Sequence, residues 1–246
     1  MCLHSWAMMP FLNGGITIKA VIFDMDGVII DSHSVAYELL CDAANKFGCN
    51  LTVDEIKKWG SLSSRQFWKR VKDEYGLPHD ISTLVNSYDE DREIELYNRM
   101  NPIPGAKDFL KELKRNKIKT ALATSASKKR MNAVIRLFDM HLLFDEFVCD
   151  EEVLASKPEP QIFLLASKKL AVSPSECVVV EDSENGKIAA KRAGMWCVGF
   201  KGLPHVEENM VGSDMIFNCF GELKVEYIKN FFTLSQGGLS SQRGEN

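Results

Sequence analysis

The chain has 246 residues, 45% of them hydrophobic and 26% charged, an ordinary globular composition with room for one sizeable core or a core plus a small second domain. A formal charge of -4 excludes a general electrostatic attraction for nucleic acid or an anionic membrane, so a bound anion must find its positive charge locally. No apolar run reaches the ~18 residues of a membrane-spanning helix, and 7 scattered cysteines with no C-x-x-C pair fit reduced core thiols in a cytoplasmic protein better than disulfides or a zinc site.

In chain order, residues 1–17 are mildly apolar but lack the basic start and cleavage site of a signal peptide; they are expected to be a leader, within which Met8 or Met9 offers an alternative start. The run 19–24, continuous and β-branched, predicts a buried parallel strand. Residues 32–101 contain no convincing strand. Helical segments over 34–47, 52–58, 63–74 and 81–99 are separated by turn signals at Gly48, Gly60 and Gly76-Leu77-Pro78. From Pro102 the pattern alternates. Strands are expected at 118–123, 146–149, 177–180, 196–200 and 215–218, and helices at 106–116, 128–138, 160–170 and 184–194. This rhythm predicts an α/β core with a Rossmann-like parallel sheet (18–31 and 102–234), interrupted after its first strand by an all-helical cap domain (32–101) with hinges near 31–33 and 101–105. The Gly/Ser/Gln-rich residues 235–246 are expected to be a disordered tail.

Four short stretches carry chemistry. Asp24-Met25-Asp26-Gly27 ends the first strand, where parallel sheets bind ligands, and puts two carboxylates on one turn; one suits attack, the other proton transfer. Val180-Glu181-Asp182-Ser183 ends another apolar run in adjacent acids, which a hard cation such as Mg²⁺ would compensate. Thr124-Ser125-Ala126-Ser127 offers a hydroxyl and backbone N–H groups where a helix begins, a ready anion site. Ser156-Lys157-Pro158 holds one lysine on a stiff backbone. Each has an ordinary alternative as a turn, a helix cap or an exposed lysine; the four in this order do not.

Together they resemble the haloacid dehalogenase superfamily of phosphotransferases, in the branch with a helical cap, and within it the β-phosphoglucomutase-like and sugar-phosphate phosphatase group. The resemblance runs from about Lys19 to Phe232. It implies that Asp24 is the nucleophile, forming an aspartyl-phosphate, and Asp26 the general acid/base. It further implies that Ser125, Ala126 and Lys157 bind the phosphoryl group, and that Mg²⁺ is held by Asp24, Asp26 (through its carbonyl), Glu181 and Asp182. Members that cleave carbon–halogen bonds lack the second aspartate, so Asp26 argues for phosphoryl chemistry. The cap stretch 60–65 resembles the substrate-facing loop of this group, which makes Arg65 a candidate for the distal end of the substrate.

The expected function is Mg²⁺-dependent hydrolysis of a small phosphorylated metabolite, a sugar phosphate in the first instance, by a monomer. A phosphosugar mutase is the runner-up, because Ala36 stands where the mutases carry a histidine, while His33, three residues earlier, is expected to face elsewhere. A non-catalytic phosphate-binding regulator is the alternative of another class, and the complete catalytic set speaks against it.

Overall fold

The computed structural model describes residues 17–60, 62–203 and 209–234; the tail and all but Thr17 of the expected leader lie outside them. The core is a six-stranded parallel sheet in the order β3-β2-β1-β4-β5-β6. Its strands are β1 (Ala20–Phe23), β2 (Lys119–Ala123), β3 (Glu146–Val148), β4 (Cys177–Glu181), β5 (Trp196–Phe200) and β6 (Met215–Phe217). Side chains alternate across the sheet, as strand geometry requires. Val21, Phe23, Leu122 and Val180 join one apolar layer, while Ala20, Ile22, Ala121 and Val179 join the other. Helices α6 (Ala106–Arg115), α7 (Lys128–Leu137) and α10 (Val225–Leu234) contribute to the first layer, and α8 (Gln161–Leu170) and α9 (Glu184–Arg192) to the second. Helix α10 has no counterpart among the sequence-based elements.

Strand β1 is central. The chain builds β2 and β3 on one side of it, then returns to place β4 on the other. This reversal opens a crevice outside the carboxyl ends of β1 and β4, where open parallel sheets bind ligands.

The cap carries α1 (His33–Asn45), α2 (Val53–Lys58), α3 (Ser64–Tyr75) and α4 (Ile81–Asn86) around a separate cluster centred on Phe67 and Trp68. Thr52 and Ser63 close capping boxes at the starts of α2 and α3, which fixes where each helix begins. The helix expected over 81–99 is two. It breaks at 87–89, where Asp89 accepts a hydrogen bond from the Arg92 N–H and starts α5 (Glu90–Tyr97). Tyr97, Ile94 and Met100 pack in the core's apolar layer rather than the cap's.

Candidate active site

Asp24 follows β1 and its N–H continues the ladder to the Val180 carbonyl, so its carboxylate emerges at the crevice. Glu181 closes β4 and Asp182 follows it. One ligand atom from each of these three buried acids lies within 4.8 Å of the others. The Lys157 ammonium bonds both Asp24 Oδ1 and Glu181 Oε1, the latter at 2.6 Å. Glu181 is satisfied further by the N–H groups of Asp182 and Ser183 and by the Ser183 hydroxyl, all on Oε2 at 2.9–3.0 Å.

Two glycines make this crowding feasible. A Cβ on Gly27 would fall 1.8 Å from Asp182 Oδ2, and Gly27 has φ +81°, a conformation glycine adopts without strain. A Cβ on Gly186, in the first turn of α9, would fall 1.8 Å from Glu181 Oε1. The spacing of the Glu-Asp-Ser-x-x-Gly stretch is therefore steric: the helix passes directly over the carboxylate.

Burial, together with Glu181, Asp182 and Asp26, pushes the Asp24 carboxyl well above its ordinary value against the pull of Lys157. Burial alone would lower the Lys157 pKa, but the carboxylates of Asp24 and Glu181 raise it. The three buried acids are met by Lys157 and, at Asp182, by His33, and their clustered carboxylate oxygens are the donors that a hard divalent cation takes. Asp24 and Asp182 would hold such an ion with Glu181 beside them.

Asp26, on the next turn of chain, accepts from Ser32 Oγ at 2.5 Å and from Arg130 Nη2 at 3.1 Å, both on Oδ1. A cavity of about 160 Å³ opens over Asp24 and Asp26. Its core wall includes Thr124, Ser125, Ala126 and Lys157; its cap wall includes Tyr37, Leu40, Trp59, Leu62 and Phe67. Ser125 is half-buried on that wall, and the Ala126 N–H donates to Thr124 Oγ1 at 3.0 Å.

Three placements differ from the sequence reading or extend it. His33 does not face elsewhere. It lines the cavity and its Nε2 lies 2.9 Å from Asp182 Oδ2, because α1 starts at His33 and its first turn sits over the acidic cluster. Burial would lower its pKa, but Asp182 holds it up to about 9. Arg65 is exposed on the first turn of α3 and is not among the residues lining the cavity; its neighbour Gln66 makes a second cap-to-core contact, donating to the Lys157 carbonyl at 3.2 Å. Sequence reasoning missed Arg130 altogether. Its position three residues after the N-cap Ser127, beside the apolar stripe of α7, was the available signal.

Among known proteins, a phosphorylated carbohydrates phosphatase of Thermotoga maritima is 30% identical over 178 residues, spanning 72% of this chain and 82% of that one. A β-phosphoglucomutase of Bacillus subtilis is also 30% identical, over 223 residues that cover 86% of this chain and 94% of that protein. The crystal structure of CbbY from Rhodobacter sphaeroides in complex with phosphate superposes with a TM-score of 0.74 at 27% identity, covering 84% of this chain and 96% of that one. The family model of haloacid dehalogenase-like hydrolases matches residues 18–194, and the chain belongs to that family.

Proposed function

We propose that the chain is a Mg²⁺-dependent phosphatase that hydrolyses a small sugar phosphate through a phosphorylated Asp24. The observation that carries this reading is the buried cluster of Asp24, Glu181 and Asp182, with Lys157 seated on the proposed nucleophile, at the floor of a cavity that Asp26 also lines. The phosphatase named for phosphorylated carbohydrates supports the substrate class.

Lys157 neutralises Asp24 and is placed to neutralise the incoming phosphoryl group, which removes the repulsion between two anions. Ser125, half-buried on the cavity wall, offers its hydroxyl to the phosphoryl oxygens. Asp24 attacks phosphorus, the bond to the leaving oxygen breaks, and Asp26 gives that oxygen its proton. Asp26 then takes a proton from water as water attacks phosphorus and the Asp24–phosphorus bond breaks, restoring both acids. When bound, Mg²⁺ would supply the remaining positive charge and orient the phosphoryl group.

Hydrolysis is favoured over transfer because Ala36, which stands where the mutases this chain resembles carry a histidine, brings no proton to the cavity, and the His33 that does line it is held on Asp182 at 2.9 Å. The likeness to a β-phosphoglucomutase keeps a mutase as the second reading. The test is phosphate release from a panel of sugar phosphates, nucleotides and an aryl phosphate, with Mg²⁺ or chelator, beside Asp24→Asn. Metal-dependent release lost in the variant supports the proposal. Release that survives in Asp24→Asn removes it, and no release on any compound favours the mutase.

A further inference from the structure

We propose that Arg130 is a positioning residue for Asp26, and that Glu93, on the chain's return from the cap, holds it in place. The inference rests on the reading of Asp26 as the acid–base group.

The guanidinium of Arg130 is pinned on three sides. Its Nη2 lies 3.1 Å from Asp26 Oδ1 and 2.7 Å from Glu93 Oε1, and its Nε donates to the Tyr97 hydroxyl at 3.0 Å. Glu93 is fully buried, and its remaining capacity is taken by the hydroxyls of Tyr97 on Oε1 at 2.7 Å and Tyr88 on Oε2 at 2.8 Å. A buried carboxylate so enclosed is strongly destabilised by loss of its cation, so Arg130 cannot swing away from Glu93 at low cost. The planar fork then has one orientation, and it reaches Asp26.

At Asp26 the Ser32 hydroxyl and Arg130 both engage Oδ1. Among the described residues no hydrogen bond is directed at Oδ2, and that oxygen remains for the leaving group and then for water. Because Glu93 shares the charge of Arg130, the pair orients Asp26 without imposing a whole positive charge on it. A salt bridge serving the fold alone would need Arg130 and Glu93 but not the second carboxylate, that of Asp26. Misplacing a proton donor by about 1 Å costs on the order of 10²-fold in rate.

The step at stake is proton delivery from Asp26 to the leaving oxygen as its bond to phosphorus breaks. This help matters for an alkoxide and little for a nitrophenolate. The readout is kcat/KM with Mg²⁺, which reports the bond-breaking step, on the best alkyl phosphate of the panel and on 4-nitrophenyl phosphate. Variants are Asp26→Asn as reference, Arg130→Lys, and the double variant Arg130→Met with Glu93→Gln, which removes both charges and strands neither. The reference and the double variant are expected to lose about 10²-fold or more on the alkyl ester and less than about tenfold on the aryl ester. Arg130→Lys should show the same split at smaller size, and it carries the test if the double variant does not fold. Equal losses on both esters would place Arg130 on the phosphoryl group or the fold and overturn the inference, as would no loss at all. If Asp26→Asn itself shows no split, the acid–base reading fails and the inference with it; if only the Arg130 variants lack it, the inference fails alone.

Discussion

The two walls of the cavity are built on opposite terms. On the core wall, charged groups are buried and each is locked by others: Lys157 joins two acids, and Glu181 takes three further donors. Apart from His33, which reaches down to Asp182, the cap wall presents Tyr37, Leu40, Trp59, Leu62 and Phe67, side chains that carry shape and apolar area. The difference separates chemistry from recognition. Proton transfer and phosphoryl transfer need atoms fixed to fractions of an ångström, whereas a pocket that selects among substrates needs a contour, which apolar side chains supply and can vary without disturbing the reaction.

The largest expected effect is on the core wall. Asp24→Asn should lower turnover on every phosphate ester by on the order of 10⁴-fold or more, as loss of a covalent nucleophile does, measured by phosphate release. Lys157→Met should follow. It leaves Asp24 and Glu181 uncompensated in a buried site, at a cost of about 3–5 kcal/mol in stability, and activity should fall on all substrates alike. Denaturant titration beside steady-state kinetics checks both. A Lys157 variant of unchanged stability would mean that the acids are neutral without it, and the contrast between the walls would weaken.

Metal sharpens the same contrast. Mg²⁺ at about 100 times its dissociation constant should stabilise the protein by about 2.7 kcal/mol, read as a rise in melting temperature. The sign with pH follows from Asp24. Its carboxyl, pushed up by burial and neighbouring acids, keeps its proton above the range of an unfolded aspartate. In the metal-free protein this contributes stability at low pH that is lost as pH rises towards the folded value. Metal binding requires the deprotonated form, so the gain from Mg²⁺ should be larger at pH 8 than at pH 5. The cap wall should respond differently. Trp59→Ala should change KM for a sugar phosphate by about tenfold and leave turnover of a small aryl phosphate near its original value. Equal losses on both would mean that Trp59 serves closure rather than selection.

The same division explains what could be read in the sequence. Asp24, Asp26, Ser125, Glu181 and Asp182 announce themselves because each stands at or within a few residues of a strand end, where a short local motif meets the open edge of the sheet, and Lys157 because Pro158 and Pro160 stiffen its loop before α8. Gly27 and Gly186 mark the closest approaches. Arg130 and Glu93 are 37 positions apart in the chain on helices that meet only because the cap's return path lays α5 against α7, so no local pattern predicts the pair. His33 was misread for a related reason: spacing along a helix does not fix where its first turn points when the hinge before it is unknown. The break between α4 and α5 was legible, since Asp89 followed by Glu90 is a helix start, but the apolar period runs through it and hides it.

The smallest expected effect lies inside the cap. Trp68 is fully buried, with Phe67 and Phe47 edge-on at 5.2 and 5.8 Å. Its indole N–H is the one buried side-chain polar atom without a partner among the described residues. An unpaired buried donor costs about 1–3 kcal/mol, and Trp68→Phe removes it while opening a void whose lost packing acts in the opposite direction. The two effects are of similar size, so the variant should melt within about 1 kcal/mol of the parent, whereas Trp68→Ala should lose about 3–5 kcal/mol. Chemical denaturation of the two variants decides it. If Trp68→Phe costs nearly as much as Trp68→Ala, the indole has a hydrogen-bond partner after all, and the cap interior is held by polar bonds as tightly as the core wall. If the costs separate as expected, the cap is an apolar body that tolerates an unpaired donor because no reacting atom depends on its alignment.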